Sequence, residues 1–224
     1  MKILKNKNYK YVGVAVLMLS VIATSCGTCG GNKNGNRGTV PNLTPITEEM
    51  ITAAQADDTP FLADMLRKLK DNPKGVDIND KDPNGINGNP LSGSTALLRA
   101  TRLGNVDIVR ALLDRGADVN AADNSKNTPL NQAISTSNFN MEVVCVLLAH
   151  KDIDVNKKGD WDQTPLYLAA EWGRVEVVKE LLARPGIDVN VRDKDGITPL
   201  GRVGGTPQQK AEIEKLLRDK GATT

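Results

Sequence analysis

Val177, Val178, Leu181 and Leu182 stand four and five residues apart, the stripe that buries one face of a short helix. Ahead of them runs Thr164-Pro165-Leu166-Tyr167-Leu168-Ala169-Ala170, which opens with a helix-start signal. A Thr side chain accepts a bond from a free backbone N–H of the first turn, and Pro at the first helical position gives up no hydrogen bond. Ala169 and Ala170 are small, so a neighbouring helix can approach closely. Gly173 then permits the left-handed residue that ends one helix and starts the next. The pattern predicts two short helices folded back on each other.

The same pattern recurs. Thr95-Ala96-Leu97, Thr128-Pro129-Leu130, Thr164-Pro165-Leu166 and Thr198-Pro199-Leu200 are 33, 36 and 34 residues apart. A second marker keeps phase with them: Asp77-Ile78-Asn79, Asp118-Val119-Asn120, Asp154-Val155-Asn156 and Asp188-Val189-Asn190. A fixed period near 33 residues marks one small unit copied and stacked, since a single helix pair cannot bury its own apolar face. Such arrays usually work as binding surfaces. Thr164 to Leu182 resembles the ankyrin repeat, T-P-L-H-x-A-A-x-x-G-x-x-E-V-V-x-x-L-L. The resemblance covers roughly residues 47 to 222. It implies an all-α solenoid of about five helix-turn-helix units joined by β-hairpin fingers, with the D-V-N marker opening each finger.

Three departures from that family pattern stand out. Leu98, Asn131, Tyr167 and Gly201 replace the motif His, which implies the loss of a stabilising network near the Thr. The end units are atypical, as caps are expected to be: the first, Thr47 to Asp82, keeps Ala53-Ala54 and Met65-Leu66, and the last has Val203-Gly204 in place of the Ala pair, then a charged helix over Lys210 to Lys220. Two stretches are enlarged. Pro83 to Ser94 lengthens one finger, and two extra residues fall between the helices of the third unit, around Ser135 to Asn140. Each insertion either shapes a binding surface or is neutral drift in a tolerant loop.

In the family, partners meet the finger tips and the concave face of the first helices. Carried over by position, that places Asp160, Trp161 and Gln163 on the fourth finger and Glu171 and Trp172 on its inner helix. Both tryptophans of the chain thus fall on one repeat's expected contact face. Trp dominates binding hot spots because it buries a large rigid area at low entropic cost. Lys126 and Lys194 lie on the flanking fingers, and Arg99 and Arg102 on the inner helix of the second unit. Against this, a Trp at a repeat junction can simply pack on its neighbour, and an Arg can be a solvated charge. Met50, Met65 and Met141 are expected in the core, and Cys145, within a Val/Leu run, as a buried free thiol.

Aromatic residues make up only 3% of the chain. Ala, Leu, Val and Ile must therefore fill the core, which suits thin layers of paired helices. The formal charge is +2, but Lys2, Lys5, Lys7 and Lys10 supply four cations before any acid occurs. Beyond residue 25 the chain is nearly balanced, which argues against a nucleic-acid partner. No Gly-rich phosphate loop, metal-ligand spacing or catalytic triad accompanies the lone His150. The expectation is a non-enzyme with no cofactor, no metal and no catalytic residue, monomeric, with a protein partner.

The four lysines precede Val12 to Ala23, a twelve-residue apolar run. With the small residues Ala23-Thr24-Ser25 this is secretory-signal architecture over residues 1–25. Twelve helical residues rise about 18 Å, short of the roughly 30 Å bilayer core. Two cleavage readings are open. Ala23-Thr24-Ser25-Cys26 resembles a bacterial lipobox, which makes Cys26 the lipidated first residue, although Ala23 stands where that pattern favours Leu. Alternatively an ordinary signal peptidase leaves Cys26 unmodified. Residues 26–46 form an expected flexible Gly/Asn-rich tether, and 47–224 the repeat domain. The expected site of action is the periplasm or an outer-membrane anchorage, with a cell-envelope protein as partner. Two rival readings are a soluble secreted effector that binds host proteins and a thiol redox protein using Cys26 and Cys29.

Overall fold

The computed structural model describes residues 43–56, 60–82 and 93–224. Four helix pairs stack in order: α1 (Glu48–Ala56) with α2 (Pro60–Asp71), α3 (Ala96–Leu103) with α4 (Val106–Leu113), α5 (Pro129–Ser135) with α6 (Met141–Leu148), and α7 (Pro165–Glu171) with α8 (Val175–Leu182). A 3-10 turn (Pro199–Arg202) and α9 (Pro207–Asp219) close the stack. The Thr residues of the motif act as the sequence requires: Thr95, Thr128 and Thr164 accept from the N–H groups of Leu98, Asn131 and Tyr167. Gly104 and Gly173 carry the positive φ that turns inner helix into outer helix.

Inner helices α3, α5 and α7 pack in a row, and outer helices α4, α6, α8 and α9 form a second layer. The core is one continuous seam. Leu97, Leu130 and Leu166, the Leu of each signature, are fully buried, as are Ile108, Leu112, Val144, Leu147, Val178 and Leu181 from the outer helices. Ala100, Ala169 and Ala170 are buried without exposure, so close helix approach is what the small residues provide. Met50 and Met65 lie in the core, and Met141 packs at its edge.

The second marker has a mechanical meaning. In each copy the Asp carboxylate accepts from the N–H of the Asn two residues on: Asp77 from Asn79, Asp118 from Asn120, Asp154 from Asn156 and Asp188 from Asn190, all at 2.9–3.0 Å. Each Asn side chain then reaches the next copy. Asn79 Oδ1 accepts from Asp118 N–H at 2.8 Å, Asn120 from Asp154 at 2.9 Å, and Asn156 from Asp188 at 3.0 Å. Asn190 Oδ1 accepts from Thr223 N–H at 2.8 Å, so Thr223 takes the place of the next Asp. This polar ladder satisfies loop N–H groups that no helix serves.

Several expectations change. Among the described residues there is no β-strand: Lys81 and Thr95 form an isolated bridge, and the fingers are tight turns rather than paired strands. The fifth unit does not contain a full first helix. Its Val203-Gly204-Gly205 segment runs backbone against backbone on the fourth unit, with Gly204 N–H donating to Ala170 O at 2.9 Å. A Cβ on Gly204 would stand 1.8 Å from Glu171 O, which explains why the Ala pair is replaced here. The insertion in the third unit is a strap. Thr136 Oγ1 donates to Arg102 O, Asn140 Nδ2 to Gly104 O, and the Arg174 guanidinium lies 3.9 Å over the Phe139 ring.

Cys145 is partly buried and disulfide-bonded, which corrects the expected buried free thiol. The body also takes in residues ahead of Thr47. Ile46 is buried, Thr44 donates twice to Asp114 Oδ2, and Arg115 donates to Thr44 O. The expected signal, Cys26, Cys29 and the enlarged stretch 83–92 lie outside the described residues. No helix among the described residues is long and apolar enough to cross a membrane.

Candidate functional site

Three fingers precede the inner helices of the third, fourth and fifth units: Asp123–Asn127, Gly159–Gln163 and Asp193–Ile197. Asp123 Oδ1 accepts from the N–H groups of Ser125 and Asn127, and Asp193 Oδ1 from those of Asp195 and Ile197. One carboxylate thus fastens a whole turn. The fourth finger has Gly159 at that position.

Both tryptophans are solvent-facing. Trp161 is 55% exposed on the fourth finger and Trp172 51% exposed at the end of α7; with Leu43 they are the exposed large apolar residues among those described. About half of each Trp is thus covered by the array itself and half faces solvent. Asp160, Lys126 and Lys194 are exposed, while Gln163 and Glu171 are half-buried. Lys194 sits 5.4 Å from the centre of the Trp161 ring, a cation–π distance. Its backbone N–H donates to Trp161 O at 3.0 Å. Trp161 has φ 54° and Asp162 φ 58°, a left-handed conformation that is a genuine outlier for a bulky residue.

Arg99 has no surface to offer. It is 5% exposed, and its Nη2 meets Asp82 Oδ2 at 2.5 Å. Burial lowers its pKa against the raising effect of Asp82. It serves the base of the enlarged finger. Arg102 is half-buried, and its carbonyl holds the strap of the third unit. The structure therefore gathers Asp160, Trp161, Gln163, Lys194, Glu171 and Trp172 on adjacent repeats, with Lys126 one finger away, and assigns Arg99 to the interior.

At the motif-His position of the fourth unit, the side chain meets the acid of the next finger. Tyr167 OH donates to Asp193 Oδ2 at 2.7 Å, so one unit rebuilds by other means the network whose loss was expected. Burial, and then Asp193, push the Tyr167 hydroxyl well above its ordinary value. Asp193 is held below the usual carboxylate range: burial opposes this, but the Ile197 N–H and the Tyr167 hydroxyl outweigh it. Asp123 is buried, and burial raises its pKa against the lowering effect of the Asn127 and Ser125 N–H groups. Asn131 faces Gly159. Its amide is buried, and neither its oxygen nor its nitrogen has a hydrogen-bond partner. Arg202 joins this strip by an ion pair to Glu171 (Nε–Oε1 3.3 Å), which raises its pKa.

The Tyr167–Asp193 pair and Arg202 escaped the sequence reading. The first was detectable by setting the His position of one unit against the finger Asp of the next; the second carries no signal. His150 follows α6, and its Nδ1 accepts from Asp152 N–H at 3.3 Å. Among the described residues no group of His, Cys, Asp and Glu is placed to hold a metal ion.

The family model for ankyrin repeats (three copies) matches residues 50–159 and 124–193, the span over which caps, glycines and ladder repeat in register. The chain belongs to the ankyrin-repeat family. It is similar to a putative ankyrin repeat protein, YahD, of Escherichia coli (strain K12), 34% identical over 154 residues, which are 66% of this chain and 70% of that protein. It is also similar to alpha-latrotoxin-Lg1a of Latrodectus geometricus, 37% identical over 111 residues, and to the neurogenic locus Notch protein of Drosophila melanogaster, 40% identical over 91 residues. Those matches take in 48% and 41% of this chain but only 8% and 3% of the two larger proteins. Ankyrin repeats suggest a protein-interaction scaffold, and the exposed finger tips, with Trp172 at the end of the largely buried α7, fit that use.

Proposed function

We infer that this ankyrin array is an exported scaffold, fastened to a membrane through a lipidated Cys26. It holds a cell-envelope protein on the finger tips and concave face around Trp161 and Trp172. The observation that carries the contact face is the exposure of both tryptophans on one repeat. Leaving such rings in water forgoes on the order of 2 kcal/mol each, which a binding partner recovers. The lysine-rich start, the apolar run and Ala23-Thr24-Ser25-Cys26 support export and tethering. A lipid anchor raises the local concentration of the scaffold for a partner in the same envelope without adding any contact.

In-cell crosslinking from a photoreactive residue in place of Asp195, exposed on the neighbouring finger, read by mass spectrometry, tests the contact face. A discrete envelope protein is expected in the adduct, and Trp161→Ala with Trp172→Ala should release it while leaving the thermal midpoint within a degree or two. An unchanged adduct in the double variant sinks the assignment of this face. Intact-mass analysis of the mature chain tests the anchor, which requires an acylated Cys26. An acylated Cys26 excludes a Cys26–Cys29 redox couple.

A further inference from the structure

The fourth finger folds differently from its neighbours: it has Gly159 where they have an Asp, and its one carboxylate bond within the turn runs from Trp161 N–H to Asp160 Oδ1 at 2.8 Å. In the third and fifth fingers the tightening bond runs from the fourth residue to the first: Lys126 N–H donates to Asp123 O and Gly196 N–H to Asp193 O, both at 3.0 Å. The fifth residue's N–H, of Asn127 or Ile197, goes to the Asp side chain. Each of these fingers has one residue at positive φ, Lys126 or Gly196. Gly159 offers no carboxylate, so the N–H of Gln163 needs another acceptor. It takes Asp160 O at 3.0 Å. That moves the tight turn one residue along the chain, and two central residues, Trp161 and Asp162, become left-handed. The bond from Gly159 N–H to Gln163 O at 2.8 Å closes the base as in the other fingers. A turn with both central residues at positive φ normally calls for Asn and Gly.

We propose that Gly159 is the positioning residue for Trp161: by withholding the carboxylate that fastens the other fingers, it sets an inverted turn that presents the Trp161 ring outward. The neighbouring finger holds the strained state through the Lys194 N–H on Trp161 O and the Lys194 ammonium over the ring, the over-determination such backbone strain requires. The part this plays in partner choice rests on the reading of Trp161 as a contact; the turn itself does not.

The test is made on the full chain by NMR. The native protein should show strong intraresidue HN–Hα cross-peaks, the mark of positive φ, at both 161 and 162. A Cβ on Gly159 would meet Asn131 Nδ2 at 2.3 Å and Asn127 Oδ1 at 2.9 Å, so Gly159→Asp is combined with Asn131→Ala, which removes the nearer contact and leaves the Asn127 side-chain tip to shift. In that variant the strong cross-peak at 161 should vanish, that at 162 should remain, and the Lys194 amide should exchange at least tenfold faster. An unchanged cross-peak at 161 overturns the assignment. A stability comparison needs no such repacking. Gly suits a left-handed site and costs entropy elsewhere. Trp161→Gly should therefore have an unfolding constant about threefold smaller than Trp161→Ala, while Ser125→Gly, at the same place in the third finger, should be less stable than Ser125→Ala. The same sign at both positions overturns the proposal. These readouts involve no partner, so a Trp161→Ala chain that keeps its crosslinked protein would sink the contact reading alone.

Discussion

Asn131 and Tyr167 occupy the same place in successive units, yet one amide is buried without a partner and the other side chain bonds a carboxylate. The difference lies in the finger opposite, Gly159 against Asp193. Leu98 fills the same place in the second unit and is buried without polar cost. Removing an unsatisfied buried amide in favour of an apolar group of similar size relieves its desolvation penalty. Asn131→Leu is therefore expected to raise unfolding stability by about 1 kcal/mol, read as a higher urea midpoint at unchanged slope. Titration separates the two finger acids in the same way. The Asp193 carboxyl carbon should titrate below the usual range, so the stability it lends is complete above its unfolded pKa and is lost as pH falls through its folded value. Asp123, raised by burial, is penalised when charged, and protonation on acidification relieves that penalty. Carboxyl-carbon NMR should place the Asp123 transition at the higher pH and show the fifth finger loosening in acid.

Helix boundaries were the most legible part of the chain at the scale of elements. Thr, Pro and Gly mark starts and turns by local chemistry, and the structure uses Thr95, Thr128, Thr164 and Gly173 as those rules require. What escaped was non-local. The shrinkage of the fifth unit's first helix to a 3-10 turn comes from Gly204 lying on the backbone of the fourth unit, which a single unit's sequence does not state. The strap over Thr136–Asn140 was visible as extra length, while its bonds to Arg102, Gly104 and Arg174 depended on neighbours one repeat away. Arg99 is non-local for the same reason: its place on the inner helix is legible, while its burial comes with an ion pair to Asp82, seventeen residues earlier. Gly204→Ala should cost about 2 kcal/mol or more, because the atom it meets is a main-chain oxygen rather than a flexible tip. A thermal scan of that variant against Gly201→Ala, whose new methyl would meet only side-chain atoms, isolates the effect.

Taken whole, the molecule is a row of thin layers that depend on each other. Stability in such a row is a sum of unit and interface contributions, so damage at one junction should spread no further than cooperativity carries it. The Asn ladder is a direct probe. Asn156→Ala deletes the bonds to Asp188 N–H and Gly186 O and should cost about 1–2 kcal/mol. Hydrogen exchange should rise first in the loop at residues 186–190, and a uniform rise across all units would contradict a modular array. The tryptophans belong to this scale too. They lie on the unit whose finger is the odd one out, so the finger most different from its neighbours shares a unit with both exposed tryptophans.

Because every internal rung of the ladder joins one Asn to the main chain of a following Asp, the joints are interchangeable. A segment running from one Asn to the next could be duplicated or excised in the gene, and the cut ends would find the same partner chemistry waiting. Lengthening such a chain demands no new invention at the seam, only that the copy keep its count.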